Sequence, residues 1–218
     1  MSLPVDVAEA RARMVEHQLR RRGISDERVL RAMGRVPREL FVPEDLRQHA
    51  YEDGALPIGH GQTISQPFIV ATICALLALD GHERVLDVGT GSGYQAAVLA
   101  ELAAEVVTVE RVPELAESAR AALVEAGYER VDVRIGDGSL GIPERAPFAA
   151  IAVAAAAPAV PPALYSQLEE GGRLVVPRGS RLGQELVLVV RTADGPRERA
   201  SLACRFVPLL GEEGFARS

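Results

Sequence analysis

The stretch Val85-Leu86-Asp87-Val88-Gly89-Thr90-Gly91-Ser92-Gly93-Tyr94 constrains this chain more than any other. An apolar run leads directly into glycines at alternate positions and then into a helical pattern, which reads as a buried strand, a tight turn and a helix start. Glycine lets the backbone take positive φ and lets a ligand come close, while the free N–H groups of a helix start attract polar or anionic ligand atoms. The rest of the chain fits a sheet around such a cradle. Apolar runs at Arg84–Val88, Glu105–Glu110, Val131–Ile135, Phe148–Val153 and Arg173–Val176 alternate with helical patterns around Tyr94–Leu102, Pro113–Ala126 and Pro161–Glu169. Strands rich in Val and Ile, most followed by a helix, predict an open, doubly wound, mostly parallel α/β sheet covered on both faces. Glu185–Thr192 and Ala200–Leu209 flank Ala193-Asp194-Gly195-Pro196 and add an antiparallel hairpin at one edge.

Upstream, Val7, Ala10, Met14 and Leu19 recur at helical intervals within Val5–Arg22, and Gly23 supplies a stop. Ser25 is the expected cap of a second helix, with Asp26 and Glu27 in its first turn and Pro37 at its end. This N-terminal helical arm is followed by Phe41–Gln66, rich in Gly, Pro and His, which reads as a long functional loop. A helical pattern resumes from Pro67 to Leu79. With 218 residues and 48 % hydrophobic content there is material for one core, so the expected organisation is a single domain over 1–218. Residues 1–66 would carry the arm and loop, and 67–218 the sheet.

Composition narrows the chemistry. The 24 basic residues against 30 acidic ones give a net charge of −6, which argues against nucleic-acid binding through many phosphate contacts. Every basic residue is Arg, so lysine Schiff-base chemistry and a Tyr-Lys relay are excluded. Cys74 and Cys204 lie far apart in apolar surroundings and read as core thiols; His17, His49 and His82 fall in separate segments, so no metal is expected. No charged start precedes an apolar stretch and no apolar run reaches about 18 residues, so the expectation is a cytoplasmic protein without a membrane anchor.

The ligand of the Gly-rich turn is a separate question. Gly91-x-Gly93-x-x-Ala96, with Glu110 roughly twenty positions on, also satisfies the dinucleotide pattern, which leaves an NAD-binding dehydrogenase or nucleotide-binding module open. Three features favour another ligand. Asp87 before the turn suits a cofactor with an ammonium group and no pyrophosphate. A second acidic turn, Gly136-Asp137-Gly138, offers Asp137 to an adenine amino group. No hydride-transfer relay is visible, and too little chain remains for a second substrate domain. Asp87, Glu110 and Asp137 are expected at the carboxyl ends of successive strands, where each charged hydrogen bond contributes about 1.5–3 kcal/mol. S-adenosylmethionine presents an ammonium, two ribose hydroxyls, adenine and a sulfonium to such a pocket, with Gly89, Thr90, Gly91, Ser92 and Gly138 forming the cradle. Rivals fare worse: Ser92 lacks the glycine two positions earlier that a nucleophile elbow needs, since Thr90 stands there. His60 reads as a loop residue, and Arg20-Arg21-Arg22 as a solvated helix end.

Several further segments sharpen this: Val36-Pro37-Arg38-Glu39, Phe41-Val42, Ala55-Leu56-Pro57-Ile58-Gly59, Gly61-Gln62-Thr63-Ile64-Ser65-Gln66-Pro67 and Phe206-Val207-Pro208-Leu209. Together with the two glycine turns, they resemble the protein-L-isoaspartate O-methyltransferase family over most of the chain. The resemblance implies a Rossmann-like methyltransferase that uses S-adenosylmethionine to esterify the free carboxylate of isoaspartyl residues in damaged, aged or unfolded proteins and peptides. The ester then closes to a succinimide that hydrolyses partly to aspartate. It also implies roles: Ser65 as the active-site hydroxyl, holding cofactor or substrate carboxylate without attacking; Gln62, Thr63 and Ile64 binding the cofactor, with Thr63 and Ile64 lining the methyl-transfer site; and the peptide lying across Ile58, Gly59, Val207, Pro208 and Leu209. A monomer is expected. A carboxylate with a pKa of about 4 is already ionised at neutral pH, so no general base is required. Ser139, Ala149 and Ala154 depart from the family's usual bulky aromatic, Asp and hydroxyl residue. They bear on the shape of the substrate cleft, so an enzyme esterifying ordinary aspartate in a dedicated peptide is the alternative within the same chemistry.

Overall fold

Asp6 opens the first helix in the computed structural model, which describes residues 6–216. Its carboxylate accepts hydrogen bonds from the Ala8 and Glu9 amides and so caps α1 (Val7–Arg13). The helix continues through wider and tighter turns to Arg22 and stops at Gly23, whose φ of 96° ends it. Val5 lies outside the described residues. In α2 (Glu27–Arg35) the cap is Asp26, not Ser25: the Asp26 carboxylate takes the Arg28 and Val29 amides, so the helix starts one residue later than expected.

The expected loop between Phe41 and Gln66 is not featureless. It contains short 3-10 turns at Arg38–Phe41 and Glu44–His49 and a small antiparallel hairpin of β1 (Leu56–Gly59) and β2 (Gln62–Ile64). His60 and Gly61, with φ of 52° and 70°, form its two-residue turn. These strands are too short, and too interrupted by Pro57 and glycines, for an alternating pattern to reveal them.

The sheet follows the sequence reading closely. It comprises β3 (Arg84–Val88), β4 (Glu105–Glu110), β5 (Asp132–Ile135), β6 (Phe148–Val153), β7 (Leu168–Gly179), β8 (Gln184–Thr192) and β9 (Gly195–Cys204). Its helices are α3 (Pro67–Leu77), α4 (Tyr94–Ala100), α5 (Pro113–Glu125) and α6 (Pro162–Ser166). The order is β5-β4-β3-β6-β7-β8-β9, parallel from β5 to β7 and antiparallel beyond. The second strand of the edge hairpin starts at Gly195, five residues earlier than expected, because Ala193-Asp194 alone makes the turn; Pro196 is tolerated on an edge strand. Residues 205–209 therefore leave the sheet edge and cross back to the end of β6. There the Ala156 amide donates to the Val207 carbonyl at 2.8 Å and the Leu209 amide to the Ala156 carbonyl at 2.7 Å.

Alternation along the strands builds two apolar layers. Val85, Val106, Ala150 and Val175 face α3, α4 and the arm residues Met14, Leu19, Val36 and Phe41, while Leu86, Val107, Ile151 and Leu174 face Leu164 and Leu168. Burying each such Val, Leu or Ile stabilises the fold by about 1.5–3 kcal/mol. Cys74 is buried and Cys204 half-buried, both as free thiols. No helix among the described residues is long and apolar enough to cross a membrane.

Candidate active site

Strand order fixes where a ligand can bind. The chain runs from β3 outward through β4 and β5, then returns to the other side of β3 for β6 and β7, so a crevice opens beyond the carboxyl ends of β3 and β6. A cavity of about 320 Å³ sits there. Its floor is Val88 and Gly89 after β3, Val109 and Glu110 of β4, Gly138 after β5 and Ala155 after β6; His60 and Gln62 of the hairpin and Val207–Leu210 close the sides. A larger hollow of about 560 Å³ lies around Glu105, Tyr128 and Val131 at the amino ends of the strands, where open α/β sheets do not place ligands.

The Gly-rich turn has φ of 90°, 53° and 90° at Gly89, Gly91 and Gly93, conformations that a side chain would strain. The Gly89 and Thr90 amides donate to the Val109 carbonyl, and the Thr90 and Thr108 hydroxyls meet at 2.7 Å. Thr108 in turn donates to Asp87 at 2.9 Å, and Gln95 of α4 donates to the other Asp87 oxygen at 2.7 Å. Asp87 is fully buried and lines neither the crevice nor the hollow at the amino ends of the strands. This corrects the expectation of a ligand-facing carboxylate. Asp87 shares the face of Val85 and points at α4, beneath the turn, where it braces Thr90 through Thr108. Thr90 is likewise buried and faces inward. Burial pushes the Asp87 carboxyl up to about 7 and the nearby Glu110 charge adds to this, against the opposing hydrogen bonds from Gln95 and Thr108.

Glu110 is the carboxylate at the crevice. One oxygen accepts from the Arg111 and Val112 amides at 2.9 and 3.0 Å, the other from the Gly91 amide at 2.9 Å, so it ties the end of β4 to the glycine turn. Asp137 lines an adjoining hollow of about 350 Å³ that shares Arg111 and Leu210 with the crevice. It accepts from the Ser139 hydroxyl at 2.7 Å and from the Ser139 and Glu212 amides at 2.9 Å. Burial pushes Asp137 up, but these donors and Arg111 outweigh it and hold the group below the ordinary carboxylate range.

Ser65 and Thr63 face a separate groove of about 370 Å³, bounded by Gln66, Phe68 and Leu202–Val207. Val207 lines both this groove and the crevice. Gln62 reaches the crevice, whereas Ile64 is buried in the core and lines neither space, contrary to its expected place at the transfer site. Ile58 packs against Gly91 in a smaller recess that also holds Ser92, and Gly59 enters the hairpin turn with φ of 90°. Pro208 and Leu209 line the crevice. His60, which reads from the sequence as a loop residue, lines the crevice, and Arg111, Ala155 and Leu210 there have no counterpart in the sequence reading. Ala155 could have been singled out, since the end of β6 must flank the switch point. Of the unusual small residues, Ser139 is buried and locks Asp137, Ala149 is buried in β6, and Ala154 lies beside Gly89.

A sheet of this order with a carboxylate-tipped crevice at its switch point defines a Rossmann-like, ligand-binding α/β protein. A family model for protein-L-isoaspartate(D-aspartate) O-methyltransferase matches residues 9–214. A protein-L-isoaspartate O-methyltransferase 2 of Marinobacter nauticus is 59 % identical over 96 % of this chain and 97 % of its own length. A solved protein-L-isoaspartate O-methyltransferase superimposes with a TM-score of 0.82 at 31 % identity, over 93 % of this chain and 66 % of that longer one. A Plasmodium falciparum protein-L-isoaspartate O-methyltransferase in complex with S-adenosyl-L-homocysteine gives 0.81 at 26 % identity, over 92 % and 98 %. The chain belongs to the protein-L-isoaspartate(D-aspartate) O-methyltransferase family.

Proposed function

We infer that this chain transfers the methyl group of S-adenosylmethionine to the free carboxylate of L-isoaspartyl residues in damaged proteins and peptides, starting their repair through a succinimide. The observation that carries the reading is the junction at Val207, where a crevice fit for the cofactor meets an open groove holding Ser65. The crevice residues suit the cofactor: the Glu110 carboxylate stands at its wall, Gly89 and Gly138 form part of its floor, and Arg111 is the one arginine that lines it. In this reading Glu110 holds the ribose hydroxyls, Asp137 the adenine side, and the turn from Gly89 to Ser92 the remainder, with Asp87 and Thr90 as braces. When bound, S-adenosylmethionine supplies a methyl group on a positively charged sulfur.

The chain's own task is positioning. The substrate carboxylate is already a nucleophile, and holding it about 3–3.5 Å from the methyl carbon, away from water, removes several kcal/mol of barrier. Ser65 hydrogen-bonds that carboxylate from the groove, Thr63 and Gln62 border its path, and Ile58, Val207, Pro208 and Leu209 exclude water. A carboxyl group must pass from an open groove into a crevice, so flexible segments of unfolded or aged proteins react best. The reading also includes a monomer acting in the cytoplasm without nucleic acid, the last of which the net charge of −6 supports. A peptide containing isoaspartate is to be compared with its aspartate twin, using labelled methyl donor. Labelling of the isoaspartyl peptide alone is expected; equal labelling of both would replace this substrate with ordinary aspartate.

A further inference from the structure

Arg38, in the Val36-Pro37-Arg38-Glu39 motif, is fully buried, and its partners are not carboxylates. Its Nε donates to the Ala50 carbonyl at 2.7 Å and one terminal nitrogen to the Ser65 carbonyl at 2.8 Å, while the other terminal nitrogen has no partner. The guanidinium carbon lies 4.7 Å from the ring centre of Tyr94, the residue that opens α4 directly after the glycine turn. A buried charge without a counter-ion is costly, and an apolar residue of similar size would avoid that cost. What only the planar fork provides is a rigid span between two carbonyls with an aromatic plate beneath it.

The Ala50 carbonyl is itself anchored. Ala50 precedes Tyr51, whose hydroxyl accepts from Arg11 at 2.7 Å and donates to Glu39, which pairs with Arg11 at 3.0 Å. Arg38 is thus fixed from the arm on one side and touches both parts of the site on the other: the segment carrying Ser65 and the helix that starts at the cofactor turn.

We propose that Arg38 is a positioning residue for methyl transfer, setting the Ser65 segment against the cofactor turn by holding the Ser65 carbonyl while resting on Tyr94. The proposal builds on the reading of Ser65 given above. A lysine here keeps the charge but reaches one carbonyl only, so Arg38→Lys isolates the fork from the charge. In the full chain, Arg38→Lys is expected to lower kcat/KM for an isoaspartyl peptide by about 10- to 100-fold, the range that misplacement of a reacting group produces. Affinity and stoichiometry for S-adenosylhomocysteine stay within about twofold, which shows that the loss is not unfolding. Amide hydrogen exchange over residues 62–66 quickens at least tenfold while β3 and β4 stay protected, and in a Ser65→Ala background the further loss from Arg38→Lys disappears. Unchanged exchange at 62–66, or wild-type kcat and KM in the folded variant, would overturn the proposal, as would a loss that simply adds to that of Ser65→Ala. If the wild-type chain fails to methylate the peptide, the functional reading falls, and the exchange measurement alone judges whether Arg38 holds the segment.

Discussion

The two walls of the site are built by different means. The wall proposed for the cofactor, formed by the ends of β3, β4 and β5, is made of parallel-strand backbone, positive-φ glycines and the buried chain Asp87–Thr108–Thr90, every link of which is hydrogen-bonded inside the protein. The wall proposed for the substrate, formed by the β1–β2 hairpin and the Ser65 segment, is half-exposed and held by a few long side chains: Arg38 on the Ser65 carbonyl, Gln66 on Asp53, and Arg22 on both Asp53 and Phe68. Such a division suits an enzyme that binds one invariant cofactor and many irregular polypeptides, since the first wall needs rigidity and the second some give.

The largest effect should come from the rigid wall. Glu110→Ala removes the carboxylate that would face the ribose and leaves the Gly91, Arg111 and Val112 amides without their acceptor. With charged hydrogen bonds contributing about 1.5–3 kcal/mol each, affinity for S-adenosylhomocysteine should fall about 10²- to 10³-fold by calorimetry. A change below tenfold would deny Glu110 its place at the cofactor. Ser65→Ala is the counterpart on the other wall. It should lower kcat about 10²-fold with the cofactor affinity intact, and unaltered turnover would remove Ser65 from the reaction.

Asp87→Asn probes the brace beneath the turn. Because folding raises this carboxyl well above its unfolded value, the native state holds a proton that the unfolded chain releases. The group's contribution is therefore complete below about pH 4 and is lost as pH rises toward about 7. Asparagine does not titrate, and it keeps an oxygen for Gln95 while its amide nitrogen donates to a reversed Thr108 hydroxyl, so in urea unfolding its stability relative to wild type should rise by a few kcal/mol between pH 5 and pH 8. A constant difference would mean that Asp87 is ionised throughout.

The same contrast between walls explains what could be read from the sequence. The sheet was legible because buried parallel strands are long apolar runs, and the glycine turn because positive φ selects its residues. Glu110 and Asp137 were legible as acids at strand ends, but the orientation of Asp87 was not, since a motif shows which residue precedes a turn and not which face of the strand it occupies. The β1–β2 hairpin escaped because strands of three or four residues carry no periodicity. The return of residues 205–209 to the end of β6, which places Val207 between groove and crevice, depends on where β9 begins, and one misjudged turn displaced it.

The smallest effect tests how lightly the substrate wall is tethered. Arg22 pairs with Asp53 at 3.0 Å and lies 3.7 Å from the Phe68 ring centre, and Asp53 also receives Gln66, the residue after Ser65. Both partners of the ion pair are substantially exposed, so the pair and the ring contact together contribute only about 1 kcal/mol. Arg22→Gln should therefore cost about that much in unfolding stability, with the difference shrinking at high salt as the ionic part is screened. Peptide KM should rise less than about fivefold, because Arg38 still holds the neighbouring carbonyl. A loss of kcat/KM as large as that from Arg38→Lys would show that the Ser65 segment hangs on the exposed tether as much as on the buried one, and the contrast between a rigid wall and a lightly held one would have to be redrawn around Asp53.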